Sequence, residues 1–203
     1  MARPRVRERL LDAAYALLSD EGAAALTTRG VAARAGTTEA SVFNNFGDKA
    51  GLLRALINER LPQLVDAKDC VEQGDSAELR QWLCRVYSSA EEFYVAVVPL
   101  MAPLWTGAAR DLSGSIEAMN LFSVHRALDR RLEALQRAGA ISAEADLQVV
   151  SYLFLGAALH SALYTIASRA VQEEDPSDPA MLFTATPPDA REIVDSIYPL
   201  LRP

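Results

Sequence analysis

The chain has 203 residues, half of them hydrophobic, and a formal net charge of −7 at neutral pH, enough to bury a full core in one large domain or in a small domain plus a larger one. No apolar run approaches the roughly 20 residues that span a bilayer, and the N-terminal arginines are not followed by the apolar block of a signal peptide. Cys70 and Cys84 are too few and too unpatterned for a disulfide framework or a zinc site, so the composition points to a soluble cytoplasmic protein with no membrane partner.

In chain order, Val6, Leu10, Ala14, Leu17 and Leu18 trace one face of a first helix that ends near Asp20-Glu21-Gly22. Arg3, Arg5, Arg7 and Arg9 precede or open it, either as a solvated end or as an arm toward a minor groove. The stretch from Leu26 to Lys49 then reads as two short helices joined by a tight turn. Thr27 caps the first, Val31, Ala32 and Ala35 form its apolar face, and Gly36 stops it. Thr38 offers a second cap, and Glu39 to Asn45 make a helix of about 10 Å, short enough for a major groove. Val42 and Phe46 face inward there, which leaves Glu39, Ala40, Ser41, Phe43, Asn44 and Asn45 outward. Leu52, Leu53, Leu56, Ile57 and Leu61 continue as a helix to Pro62, where it ends or kinks.

A long aromatic helix is predicted from Asp75-Ser76 to Val98-Pro99, with a separate short segment from Leu100 to Trp105 and a Gly/Ser-containing loop at 107–115. An amphipathic helix follows from Ile116 to Gly139, and Ser142 opens another that reaches Ile166. An acidic, proline-containing connector covers roughly 171–185. Thr186 then caps a last helix with Pro187 in its first position and Asp189 answering back. No strand pattern competes, so the fold expected is all-α.

Two short helices with this turn form a helix-turn-helix. Leu26, Thr27, Thr28, Arg29, Val31, Ala32, Ala35, Gly36, Thr38, Val42, Phe43, Phe46, Lys49 and Leu52-Leu53 carry, in register, the residue types of the TetR family of transcriptional repressors, which the segment resembles. The resemblance covers about the first 55 positions. It implies a three-helix DNA-binding domain at 1–49 and a larger helical ligand-binding and dimerisation domain at 50–203, about nine helices in total. It also implies that Thr28, Arg29, Ser41, Phe43, Asn45 and Lys49 touch DNA, with Thr38 at the backbone. Side-chain chemistry adds Asn44 for adenine, Glu39 for cytosine, and Phe43 or Ala40 for a thymine methyl. Phe43 and the Asn44-Asn45 pair depart from the family's usual tyrosine and aromatic-His pattern. Charge agrees with a DNA-binding end. Residues 1–61 carry nine basic against seven acidic side chains, whereas 62–203 carry eleven against twenty.

The same resemblance implies a homodimer on a (pseudo)palindromic operator in double-stranded DNA. Its interface is expected at Leu155, Gly156, Leu159, Ala162, Leu163, Ile193, Ile197, Leu200 and Leu201, on two helices with more apolar surface than one bundle needs. Trp82, Tyr87, Phe93, Tyr94, Met101, Trp105, Met119, Phe122, His125, His160 and Tyr164 gather in the body and suit an apolar or aromatic small-molecule effector. No cofactor is expected. An enzyme is disfavoured by the lack of a Ser/His/Asp spacing, a phosphate-binding glycine loop or a metal-ligand cluster. The alternatives are a same-fold DNA-binding protein with a chromosome-associated role, or a small-molecule binder without specific DNA readout.

Overall fold

The computed structural model describes residues 6–73, 78–106, 123–174 and 186–202, with backbone alone at 102–106 and 171–174. The described residues are helical throughout, without a strand. They divide into two compact units, one of Met1–Pro62 with Pro99–Leu121, the other of Gln63–Val98 with Phe122–Pro203.

In the first unit, α1 (Val6–Glu21) buries Leu10, Leu11, Ala14 and Leu17 and packs on the three helices that follow. Arg7 and Arg9 lie inside this helix, so neither is part of an extended arm; Arg3 and Arg5 lie outside the described residues. A 3₁₀ turn at Ala23–Ala25 leads to α2 (Thr28–Arg34). The Thr27 hydroxyl oxygen accepts the Gly30 N–H at 2.9 Å, as the sequence predicts for a cap. Gly36 stands at φ +64°, the left-handed region where a side chain is strained, and lets the Thr37 N–H turn back to the Ala32 carbonyl at 3.0 Å.

Next come α3 (Glu39–Phe46) and α4 (Lys49–Arg60). The corner between them is tight. A Cβ on Gly51 would lie 1.9 Å from the Phe46 carbonyl oxygen, while Asp48 caps α4 by accepting the Gly51 N–H at 2.6 Å. Leu61 is extended, and Pro62 is not a kink: it opens a separate helix, α5 (Pro62–Glu72), which the sequence reading did not anticipate. Proline suits a first helical position because the missing N–H has no partner there anyway.

The second unit is built on α5, most of α6 (Leu79–Thr106), α7 (Ser123–Arg137), α8 (Leu147–Glu174) and α9 (Ala190–Ile197). Along α6, Trp82, Leu83, Val86, Tyr87, Ala90, Phe93 and Val97 form one buried stripe. The helix runs on through Pro99 and Pro103 and is not divided into two segments. A mid-helix proline costs about 3 kcal/mol, and burial of Val97, Val98, Leu100 and Met101 around Pro99 offsets it. The helix start expected at Asp75-Ser76, the 107–115 loop and the front of the helix expected from Ile116 lie outside the described residues.

Helix α7 ends as expected near Gly139, with the Ala140 N–H on the Leu135 carbonyl at 2.9 Å. Ser142 does not open the next helix. It holds a turn through the Glu144 N–H, and Asp146 caps α8 by accepting the Val149 N–H at 3.1 Å. Gln136 fixes this α7–α8 connection by donating to the Ser142 and Ala145 carbonyls at 2.8 and 3.1 Å. At its far end α8 continues to Glu174, past the start of the expected connector; 175–185 lie outside the described residues. The cap of α9 is Asp189 and not Thr186. Its carboxylate accepts the Arg191 and Glu192 N–H groups at 2.8 Å, and Glu192 reaches back to the Asp189 N–H at 2.9 Å.

One expectation from composition fails at α8. Its stretch Leu147–Ala170 has 24 residues at a mean hydropathy of 1.5, long and apolar enough to cross a membrane by length and composition alone. Only 39% of the window is buried. The helix has two apolar faces: Val150, Phe154, Leu155, Ala158 and Ala162 lie in the core, whereas Val149, Tyr152, Leu153 and Leu163 are exposed.

Candidate nucleic-acid interface

Helix α3 has the polarity a reading helix needs. Val42 is completely buried and fixes the rotation of the helix. Glu39, Ala40, Phe43, Asn44 and Asn45 are then exposed, and Ser41 is half-buried. Phe43 leaves 46% of its surface open to solvent, an unusual exposure for a phenylalanine and one that suits contact with a base methyl or a sugar. Phe46 does not enter the core as expected. It is half-buried, with the Arg7 guanidinium 5.3 Å over its ring.

Hydrogen bonds within the motif set the exposed side chains. The Thr28 hydroxyl donates to Glu39 at 2.5 Å, joining the first turns of α2 and α3. Ser41 receives the Thr37 hydroxyl at 2.9 Å and meets the Thr38 hydroxyl at 3.1 Å. Thr38 has the extended backbone of a cap, but its side chain makes this contact and does not accept an N–H of α3. Asn45 donates its amide to the Ser41 carbonyl at 2.7 Å, which leaves its side-chain oxygen outward. Asn44 is exposed with no side-chain hydrogen bond among the described residues, so both its donor and its acceptor are available for a bidentate contact.

The net charge of this end hides a division of labour among its cations. Arg7 grips Glu59 with two parallel bonds of 2.6 Å, which holds the Glu59 carboxyl below its ordinary range, chiefly by that hydrogen bond. Arg34 pairs with both Asp20 and Glu21, and Arg60 with Asp12 at 2.9 Å. These arginines join helices. Arg9, Arg29, Lys49 and Arg54 have no ion pair among the described residues, and Arg29 and Lys49 sit in the first turns of α2 and α4. Sequence counting could not separate the two groups, and it missed Thr37 and Asp48, whose roles lie in holding the turns.

In the body, the expected ligand residues scatter by role. Trp82, Tyr87, Phe93, Tyr94 and Met101 are buried on α6. The Trp82 indole donates to the Cys70 carbonyl at 2.9 Å, and burial pushes the Tyr94 phenol up to about 12. His125 is half-buried with Nε2 4.0 Å from Asp129, while His160 is exposed on α8. Tyr87 and Tyr164 are brought together along one open crevice. Met119 and Phe122, and the side chain of Trp105, lie outside the described residues.

The expected interface residues also separate. Leu155, Ala162, Ile197 and Leu201 are buried within the unit, Leu159 and Ile193 are half-buried, and Gly156, Leu163 and Leu200 are exposed. The exposed row on α8 also includes Val149, Tyr152, Leu153 and His160, which recur at three- and four-residue steps that a count along the sequence could have found.

Among the described residues, a short, polar-faced second helix presented from a capped turn has the arrangement of a helix-turn-helix. Residues 10–56 match the family described as bacterial regulatory proteins, tetR family. The match is confined to this N-terminal segment, which is similar to the DNA-binding domain of that family. A stretch of 52 residues is 44% identical to an uncharacterized HTH-type transcriptional regulator, YvkB, of Bacillus subtilis (strain 168), and spans 26% of this chain and 28% of that protein. The chain thus matches little more than a quarter of that relative's length. The whole fold resembles a TetR transcription regulator from Haloarcula marismortui ATCC 43049, with a TM-score of 0.65 at 18% identity over 97% of each chain. It also resembles FadR of Thermus thermophilus, a TetR family repressor in complex with lauroyl-CoA, with a TM-score of 0.59 at 18% identity over 96% of this chain and 92% of that one.

Proposed function

We propose that this chain is a ligand-responsive transcriptional repressor that binds a (pseudo)palindromic operator as a homodimer in the cytoplasm. The observation that carries the reading is the α3 face, where Glu39, Ala40, Phe43, Asn44 and Asn45 are exposed around a completely buried Val42. Residues 1–49 do the reading, with Thr28, Arg29, Thr38, Ser41 and Lys49 toward the DNA backbone. Residues 50–203 supply dimerisation and the effector site. One helix of this length contacts too few bases for specificity, and two of them on half-sites about 34–36 Å apart supply it. The exposed apolar row on α8 gives the mate a surface to cover. That a regulator of this fold holds lauroyl-CoA supports an effector with an apolar part.

An effector releases the operator only if it binds the non-binding conformation more tightly. A hundredfold loss of DNA affinity requires about 2.7 kcal/mol of such preference. The test is selection of bound duplexes from a random DNA pool at near-physiological salt, followed by the stoichiometry of the winning complex. Recovery of an inverted repeat bound by one or two dimers supports the reading. Binding that stays sequence-blind and salt-sensitive, with and without candidate effectors, overturns it in favour of a chromosome-associated role.

A further inference from the structure

Between α6, α8 and the start of α9 lies an open crevice of about 1000 Å³, the upper end of what drug-sized ligands occupy. Its walls are unlike the aromatic core. Tyr87, Tyr164, Pro187 and Val194 give it apolar sides, and Tyr87 and Ser161, both buried, share a hydrogen bond of 2.8 Å at its base.

The charges in the crevice are mostly consumed. Arg80 pairs with Asp195 and lies 4.3 Å over the Tyr198 ring, and the Asp189 carboxylate is occupied by the α9 cap. Arg191 is exposed at the rim. Glu91 is different. It is half-buried, has no cationic partner among the described residues, and receives only the neutral Thr165 hydroxyl. Burial, and then the neighbouring Glu92, push its carboxyl up, while Thr165 pulls it back. A carboxylate in that position gains from a positive charge that no described residue provides.

We propose that this crevice is the effector site, and that it takes an amphipathic organic cation whose ammonium group bonds Glu91 while its apolar or aromatic body lies against Tyr87, Tyr164 and Val194. This deepens the ligand-responsive reading, on which its regulatory meaning rests, and narrows the ligand from apolar or aromatic to cationic. The placement also bears on assembly. Ser161, Tyr164 and Thr165 are rotated by about 140° on average from the exposed row of Tyr152, Gly156, His160 and Leu163 on the same helix, at about 100° per residue. The two faces of α8 are therefore distinct, and a ligand in the crevice leaves the row open.

The experiment is calorimetric titration of the full chain with 4-phenylbutylamine, its alcohol 4-phenylbutanol and its acid 4-phenylbutyrate, repeated on Glu91→Gln and on the exposed neighbour Glu92→Gln. A charge-assisted bond is worth about tenfold or more in affinity. The amine is expected to bind at least about tenfold more tightly than the alcohol, to lose that advantage in Glu91→Gln, and to keep it in Glu92→Gln. Equal binding of the three probes, no binding of the amine, or an unchanged advantage in Glu91→Gln overturns the proposal. Maleimide labelling of the unmutated chain locates the site without a variant: bound amine should slow labelling of Cys84, which lines the crevice, and leave Cys70 unaffected. Equal slowing or none at both thiols overturns the location. Failure of DNA selection with amine binding intact sinks the repressor reading alone, and specific DNA binding without amine binding sinks the crevice alone.

Discussion

Lys49 and Asn44 stand five residues apart, yet they do different work. Among the described residues Lys49 has no ion pair at the start of α4 and Asn44 no side-chain hydrogen bond in the middle of the exposed α3 face. A phosphate contact carries no sequence information, so Lys49→Ala should weaken binding to all duplexes alike and reduce the salt slope by about one per protomer in a titration of affinity against salt. An unchanged slope removes Lys49 from the phosphate contacts. Asn44→Ala should instead cost about 1–3 kcal/mol at particular bases and relax preference there, read by repeating the duplex selection. A uniform loss would make Asn44 a positioning residue.

Glu59 tests a residue that serves the helices and not the DNA. Its carboxyl is held low by the Arg7 fork, so the pair contributes stability above the ordinary carboxylate range and loses it as pH falls through the lowered value. The side chains are 41% and 39% exposed, and solvent screening limits the contribution to at most about 1 kcal/mol. Glu59→Gln should lower the melting temperature slightly at pH 7, and the two melting curves should converge in acid. A gap that stays constant as the pH is lowered from 7 through the carboxylate range would show that the substitution acts through something other than the ion pair.

At the scale of elements, the α3–α4 corner leaves no room for a side chain at Gly51. Gly51→Ala pushes a methyl group into the Phe46 carbonyl, which is backbone and cannot rotate away. The corner must open, at a cost of about 1–3 kcal/mol, read as a lower midpoint in urea. A variant as stable as the parent would mean that α4 can slide without loss.

That corner also marks how far the sequence could be read. Helices α2 and α3 were legible because their signals are local: Thr27, Gly36 and Val42 each fix a cap, a stop or a buried face within a few residues. Further on, local signals competed. Ser142 and Asp146 are both good caps four residues apart, and only the tertiary link from Gln136 to the Ser142 carbonyl makes the first a turn and the second the helix start. Pro99 reads as a stop until the burial on both sides of it is known. Helix α5 shows only Leu64, Ala67 and Val71 between two breaks, too short a stripe to stand out. The exposed face of α3 followed from one buried valine, but aromatic density could not separate a ligand wall from a core, because Trp82 and Phe93 pack as any core aromatics do.

For the whole molecule, the proposed homodimer places its mate on the exposed row of α8, which would bring two reading helices to the DNA. Tyr152 is 72% exposed and Leu153 52% exposed, with Gly156 beside them offering no side chain to hold a second backbone away. Because Leu153 points away from the core, Leu153→Arg should leave folding intact while placing a charge where a mate would otherwise exclude water. The variant should keep the helical circular dichroism of the parent and sediment as a monomer where the parent sediments as a dimer. Its operator affinity should fall by more than tenfold, since one half-site contributes only its own contacts. Full operator affinity in a monomeric variant would separate dimerisation from recognition. A variant that remains dimeric would place the two-fold contact elsewhere on the chain, and the α8 row would then need another partner.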